Sequence, residues 1–319
     1  MTTSKTTRKT KAYAKKAKKN VYEIITNQII ESMEKGVGQW QRGWTVGAEN
    51  GVNGLSPVNA TTGKTYSGIN RLILSLVMHE NEYKENRWVT YNQAKAEGWQ
   101  VAKGQKGTML AFYGTAEKNP EEDKGEDEKE YYRFINPFTV FNVGQLEGYE
   151  ASGIDRPVLT TADNNEMVNR VLANTDVTIL PEGGNEAFYI PSHDAIQMPP
   201  RAAFKSDSAW AATMVHELSH ATKLPSRCDR DYKSQYGSKE AYAREELVAE
   251  LAAAFLCSEM GCIGETLESH SCYINSWIQV LKSDNRAIFK ACADAQKATN
   301  FIMHEWAEKE VEPSESEAA

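Results

Sequence analysis

Thr213-Met214-Val215-His216-Glu217-Leu218-Ser219-His220-Ala221 is the stretch on which the reading of the C-terminal half turns. Its apolar residues, with Trp210 and Ala211 just before them, recur at helical spacing, which predicts a helix over about 208–223. His216 and His220 are four residues apart and so point the same way, and two imidazoles one turn apart can share one metal ion. With six histidines in the chain, this His-Glu-x-x-His spacing is expected by chance only about 0.01 times.

A catalytic metal site takes three protein ligands and keeps one position open. The elongated form of the motif is excluded, because Lys223 and Ser226 stand where its Gly and second-turn His would be. The third ligand must therefore come from elsewhere. The next predicted helix, about 239–260, places Glu246 and Glu250 on one face with Ala253, while Leu247, Leu251 and Phe255 form its apolar stripe. Ala249 and Ala253 are small enough to let the two helices approach closely. Glu246 is the expected third ligand, and Glu250 the acceptor for the second nitrogen of a ligand histidine, or an alternative ligand. Asp229 and His270 are weaker candidates for the same coordination position. Glu217 is expected to stay off the metal, hold the attacking water, take its proton and pass it to a leaving amine. Zinc is the expected ion, with manganese as the second choice.

Ahead of this helix, a helix near 167–173, a strand near 177–180 and a hairpin over 187–198, turned at 192–194, complete the second half. A hairpin in that place can align an extended peptide by strand addition. Tyr232, Tyr236, Tyr242 and Tyr273 are available as oxyanion donors, and none is singled out. His79, His193 and His304 read as ordinary core or surface histidines. Further helices are expected over about 265–283 and 286–308.

The first half reads as a small mixed α/β unit. Asn20 caps a helix whose Val21, Ile24, Ile25, Ile29 and Met33 form one buried face, and a second helix follows at 69–79. Short strands are predicted at 88–90, 100–103 and 108–113, a helix at 93–97, and a resumed strand at 131–143. Residues 117–130 hold eight acids against three lysines and are expected to leave the strands as a mobile hairpin excursion. The organisation is thus a disordered basic arm at 1–20, a first domain at 21–146, a linker at 147–159, a second domain at 160–307 and a disordered acidic tail at 308–319. The fold class is α+β, the second domain mainly helical with a small antiparallel sheet.

At 319 residues the chain is too long for a mini-protein, and its 40% hydrophobic and 25% charged residues fit neither a disordered nor a collagen-like chain. The longest purely apolar run, 251–257, is far too short to cross a bilayer, so no membrane partner is expected. Five cysteines without a CxxC pair and without a secretory signal read as reduced thiols in a cytoplasm. The first twenty residues carry eight basic side chains and no acid, whereas the whole chain is at −8. A basic arm on an acidic body points to nucleic acid.

Aromatics in the first domain are interleaved with amide, hydroxyl and basic residues. Trp40, Arg42, Trp44, Asn59, Lys64, Tyr66, Asn70, Arg71, Trp88, Tyr91, Gln93, Lys103 and Lys106 are the candidate contacts to single-stranded DNA. Rings of this kind can stack on unpaired bases while Lys and Arg neutralise phosphates.

Several blocks in order make the chain resemble the ArdC family of plasmid antirestriction proteins, whose first domain is similar to part of plasmid conjugative primases. They are Pro57-Val58-Asn59, Gly63 to Asn70, Trp88 to Ala94, Val101 to Gly107, Ala187-Phe188-Tyr189, Asp194 to Pro199, the histidine motif and Tyr242 to Glu250. The resemblance implies a single-stranded-DNA-binding domain joined to a zincin-like metallopeptidase domain, acting in a recipient bacterial cell as a plasmid enters as a single strand. It also implies metal binding by His216 and His220, with an acid of the 245–250 block as third ligand. The functional expectation is protection of entering DNA by non-specific binding. The alternative is a zinc-dependent peptidase that cuts a host protein near that DNA, and a primase is disfavoured because no acidic triad on a strand pattern is evident.

Overall fold

The computed structural model describes residues 20–35, 56–118, 130–150, 161–232, 238–260 and 274–308. The basic arm up to residue 19, most of the acidic excursion, most of the expected linker and the acidic tail from residue 309 lie outside these residues.

The first element among the described residues is helix α1 (Val21–Glu34), where the Asn20 side chain accepts a hydrogen bond from the Tyr22 N–H and so satisfies one unpaired donor of the first turn. Val21, Ile25, Ile29 and Met33 bury one face. Strand β1 (Val58–Asn59) then leads through helix α2 (Gly68–Glu80) to β2 (Arg87–Thr90), and β1 and β2 pair in parallel across that crossover. A short helix, α3 (Tyr91–Ala96), is fixed by a reciprocal pair in which Thr90 Oγ1 accepts from the Gln93 N–H and Gln93 Oε1 accepts from the Thr90 N–H.

The longest pairing joins β4 (Thr108–Glu117) to β5 (Tyr131–Asn142) as an antiparallel hairpin, in register from Thr108 opposite Val140 to Glu117 opposite Tyr131. It forms one side of a sheet in the order β1-β2-β5-β4. Since β2 meets β5 only at 140–142, the rest of the hairpin extends past the sheet as a two-stranded ribbon. Pro137 fits β5 because it lies beyond the reach of β2, where no ladder partner loses a donor. Two further strands, β3 (Gln100–Val101) and β6 (Leu146–Glu147), pair beside the sheet.

The second half begins with α4 (Thr161–Asn174) and a three-stranded sheet of β7 (Thr178–Ile179), β8 (Phe188–Ile190) and β9 (Ala195–Gln197), ordered β7-β9-β8. The expected β8–β9 hairpin is antiparallel and turns through Asp194, whose φ is 44°, while β7 adds to it in parallel. Helices α5 (Asp207–Ala221), α6 (Ser238–Met260), α7 (Ile274–Ser283) and α8 (Ala287–Phe301) follow, and α8 runs into a wider π turn at Ile302–Ala307. The fold is α+β, with most of the helix in the second half.

Helix α6 is buried on nearly every side. Leu247, Val248, Leu251 and Phe255 join a core that also holds Ile25, Ile29, Leu72, Trp88, Trp277 and Ile288. Ala253, Leu256 and Met260 face a second core built on Val168, Ile196, Trp210, Val215 and Trp306. One core therefore spans both halves of the sequence. Among the described residues no helix is long and apolar enough to cross a membrane.

Candidate metal centre

Helix α5 starts where Ser206 Oγ accepts from the Ala209 N–H, and it buries Trp210, Ala211, Met214, Val215 and Leu218. Because other elements close around it, His216, Glu217 and His220 are buried as well. The two imidazole centroids are 4.8 Å apart, the rings set nearly perpendicular at 85°. Helix α6 brings Glu246 against them, 3.8 Å from His216 Nε2 and 3.6 Å from His220 Nε2. One ligand atom each from His216, His220 and Glu246 thus lies within 4.8 Å of the others, a spacing that one cation can bridge.

Each histidine turns its remaining nitrogen to a carboxylate. His216 Nδ1 is 3.6 Å from Glu250, and His220 Nδ1 is 3.4 Å from Glu245. Glu245 so placed orients the His220 ring and leaves its Nε2 on the side of Glu246, whereas Glu250 stands just beyond hydrogen-bond distance of His216 Nδ1. Burial by itself lowers the His220 pKa, but hydrogen bonding and charge from Glu245 and Glu246 outweigh it and push the metal-free group up to about 9. Burial acts on Glu245 in the opposite sense, yet His220 and Arg230 hold its carboxyl below the usual range. A divalent cation replaces that proton in neutralising the carboxylates, and the two imidazoles and one carboxylate are donors that suit it.

Glu217 is buried on α5 next to His216 and contributes no atom to the three-residue cluster. Asp229 is exposed, with a φ of 51°, and stands outside the cluster, while His270, Tyr236 and Tyr273 lie outside the described residues. Tyr232 is buried and donates to Asp294, which leaves exposed Tyr242 as the other described member of the tyrosine set. Glu245 stood in the sequence as one acid of a block, and nothing in its spacing marks it as the partner of His220. Arg230 was missed altogether, since it follows an aperiodic loop.

The β8–β9 hairpin packs Tyr189 and Ile196 against Met214, Val215 and Leu218 of α5, and one further side chain ties its turn down. Arg227 donates to both carboxylate oxygens of Asp194, at 2.9 and 2.6 Å, and to the Ala221 carbonyl at 2.8 Å. Tyr189 donates to the same carboxylate at 2.8 Å. The turn of the hairpin is thereby pinned to the C-terminal end of the metal helix.

Two family descriptions match the chain: the N-terminal domain of anti-restriction factor ArdC over residues 19–141, and a zincin-like metallopeptidase domain over residues 166–294. The crystal structure of the antirestriction ArdC protein from plasmid R388 is similar over 92% of this chain and 100% of that one, at 32% identity and a TM-score of 0.74. The chain belongs to the ArdC family. The Mn(II)-bound form of the R388 protein has a TM-score of 0.73 and covers 91% of this chain and 100% of that one at the same identity. An uncharacterized protein, y4eC, of Sinorhizobium fredii is 35% identical over 89% of this chain and 91% of its own length. A DNA primase TraC from Escherichia coli is 36% identical over 90% of this chain, which spans only 20% of that protein. This ArdC-family chain therefore carries a zincin-like domain whose buried histidines and glutamate suit a divalent cation.

The structure divides the thirteen candidate DNA contacts in this family member. Trp40, Arg42 and Trp44 lie outside the described residues. Lys64, Tyr91, Lys103 and Lys106 are exposed. Asn59 and Gln93 are bonded to each other at 3.1 Å, and Asn59 and half-buried Tyr66 at 3.3 Å, so these three side chains hold a turn together. Asn70 is spent on the backbone of β4. Trp88 and Arg71 are corrected from surface to core: Trp88 is fully buried with its indole donating to Asn86, and Arg71 is 2% exposed and bonded to Phe255, Ser258 and Glu259. Neither side chain is presented at the surface. The exposed aromatics of the first half stand on the ribbon as well as at Tyr91: Phe112, Tyr113, Tyr131 and Tyr132 are each at least half exposed.

Proposed function

We propose that this protein is an antirestriction factor whose N-terminal half binds single-stranded DNA and whose C-terminal half is a divalent-metal hydrolytic centre, acting in the cytoplasm of a recipient cell. The observation that carries the second part is the convergence of His216, His220 and Glu246 from two crossing helices, with each imidazole backed by a further carboxylate. A bound cation would polarise a substrate carbonyl and lower the pKa of water. Zinc suits the donor set, and Mn(II), held by the R388 relative, is the second choice. Glu217, beside His216, is the residue to take the proton of an attacking water and return it to the leaving amine. An extended peptide, from a host protein near the entering DNA, would add to the open edge of β8, where Phe188 is exposed.

The reading for DNA rests on the ribbon. Phe112, Phe134 and Tyr132 follow one another with ring centroids 6.2 Å apart, and Gly114 makes room for the Phe134 ring, because a Cβ there would come within 2.3 Å of it. The described charges on the ribbon, Glu117, Lys118, Glu130 and Arg133, balance, so stacking on bases, not neutralisation of phosphate, is its contribution. Coating an entering single strand hides it from nucleases and delays the duplex that restriction enzymes cut. Glu217→Ala tests both parts. Retained DNA binding with retained antirestriction supports protection by binding alone, whereas retained binding with lost antirestriction makes peptide hydrolysis the working activity.

A further inference from the structure

We propose that Arg230 is a positioning residue for the metal centre, acting through Glu245 on His220. The inference rests on the metal reading above. Arg230 Nη2 donates to Glu245 Oε1 at 2.8 Å and its Nε to Oε2 at 3.3 Å, so the guanidinium grips both carboxylate oxygens. Glu245 Oε1 in turn faces His220 Nδ1 at 3.4 Å. The guanidinium itself cannot wander. Its Nη1 donates to Thr222 Oγ1 at 2.7 Å and its Nη2 to the Ser219 carbonyl at 2.8 Å, both at the end of the helix that carries the two histidines. Its side chain is 1% exposed.

Three consequences follow from this arrangement. The planar fork fixes the carboxylate plane of Glu245 in a way a lysine ammonium does not. A Glu245 carboxylate fixed 3.4 Å from Nδ1 favours the tautomer of a neutral His220 that carries its proton there and leaves the Nε2 lone pair toward Glu246. The positive charge of Arg230 also offsets one of the four carboxylates, Glu217, Glu245, Glu246 and Glu250, that are buried around the two histidines, which without it would repel one another at short range. Arg230 reaches this place because Asp229 adopts a left-handed backbone and the Arg230 N–H donates to the Lys223 carbonyl at 3.0 Å, turning the chain back onto the end of α5.

The test is a titration of the full-length, metal-free chain with Co(II), read by its visible absorption, for wild type, Arg230→Lys, Glu245→Gln and the double variant. Far-UV circular dichroism and the unfolding midpoint of each metal-free variant are recorded alongside. Arg230→Lys and Glu245→Gln are each expected to raise the Co(II) dissociation constant by about tenfold or more and to alter the absorption envelope. The double variant is expected to do little more than the more damaging single one, because both act along one line of contacts. A lower unfolding midpoint with an unchanged dissociation constant and spectrum would mean that Arg230 only ties down the helix end, and would overturn the inference. If Arg230→Lys fails to fold, Glu245→Gln decides by the same criterion. A wild-type chain that binds no Co(II) removes the metal reading itself, and this inference with it, which is a distinct result.

Discussion

Asn70 and Arg71, neighbours on α2, hold two different parts of the molecule. The Asn70 side chain donates to the Ala111 carbonyl at 2.8 Å and accepts from the Ala111 N–H at 2.9 Å, completing the outer edge of β4 at the root of the ribbon. The Arg71 guanidinium donates to the Phe255 carbonyl at 2.7 Å and to Glu259 at 2.6 Å, and lies 4.5 Å from the centre of the Phe255 ring. Glu246 and Phe255 are on the same helix, so a single turn of α2 links the ribbon to the helix that supplies a metal ligand.

Arg71→Met should therefore cost about 2 kcal/mol of folding stability, the scale of hydrogen bonds to a charged group, lessened because Glu259 keeps some contact with water. Lys35→Ala, which removes an exposed pair with Glu80, should cost no more than about 0.5 kcal/mol. Urea unfolding of the two variants checks the contrast, and equal midpoints would show that Arg71 contributes no more than a surface pair.

Metal should stabilise the folded chain because its ligands come together only on folding. At a free concentration a hundredfold above the dissociation constant the gain is about 2.7 kcal/mol. Zinc is expected to raise the thermal midpoint of wild type and to leave that of Glu246→Ala unmoved. An equal rise in both would place the ion elsewhere.

The histidine motif was legible in sequence because its geometry is local: four residues on a helix fix the angle between His216 and His220 wherever the helix is placed. Glu246 and Glu250 were legible for the same reason. Which acid meets which imidazole depends on how α5 crosses α6, and so the pairing of Glu245 with His220 was not. Arg230 depends on a left-handed Asp229 and a loop that folds back, which no periodicity announces. Trp88 and Arg71 have the composition of a nucleic-acid surface and the environment of a core. The strand of Trp88 lies between β1 and β5, and α6 covers Arg71, both outcomes of distant packing. The alternating aromatics of β4 and β5 read correctly as strands, but only the reach of β2 decides that their far ends stay uncovered.

Metal affinity should climb with pH. His220 in the metal-free centre keeps its proton up to about 9, and a cation needs the neutral imidazole, so each ion bound below that pH expels close to one proton. The logarithm of the apparent association constant should then rise by about one for each pH unit between about 6 and 8. Stability of the metal-free chain moves the other way: a raised folded pKa contributes stability that is complete below the unfolded value of about 6.5 and is lost as pH rises through 9. Calorimetric titration in two buffers of different ionisation enthalpy counts the protons, and a count of zero near pH 7 would contradict a protonated His220 in the metal-free centre.

The ribbon should bind bases without holding the fold together. Tyr131→Ala and Tyr132→Ala remove rings that are 60% and 50% exposed, so each should change folding stability by less than about 0.5 kcal/mol. Each should nonetheless weaken single-strand binding by about 1–3 kcal/mol per lost stack. The slope of affinity against salt should stay as in wild type, because no phosphate contact is removed. Trp88→Ala is the counter-case, with a loss of about 3–5 kcal/mol of stability from emptying a fully buried site. Fluorescence anisotropy of a labelled single strand over a salt series, beside unfolding curves, measures all three quantities. If a folded variant lacking Phe112, Tyr131 and Tyr132 binds the strand as wild type does, the exposed lysines at 64, 103 and 106 become the contact surface, and the salt slope of their alanine variants should then fall by about one per charge removed.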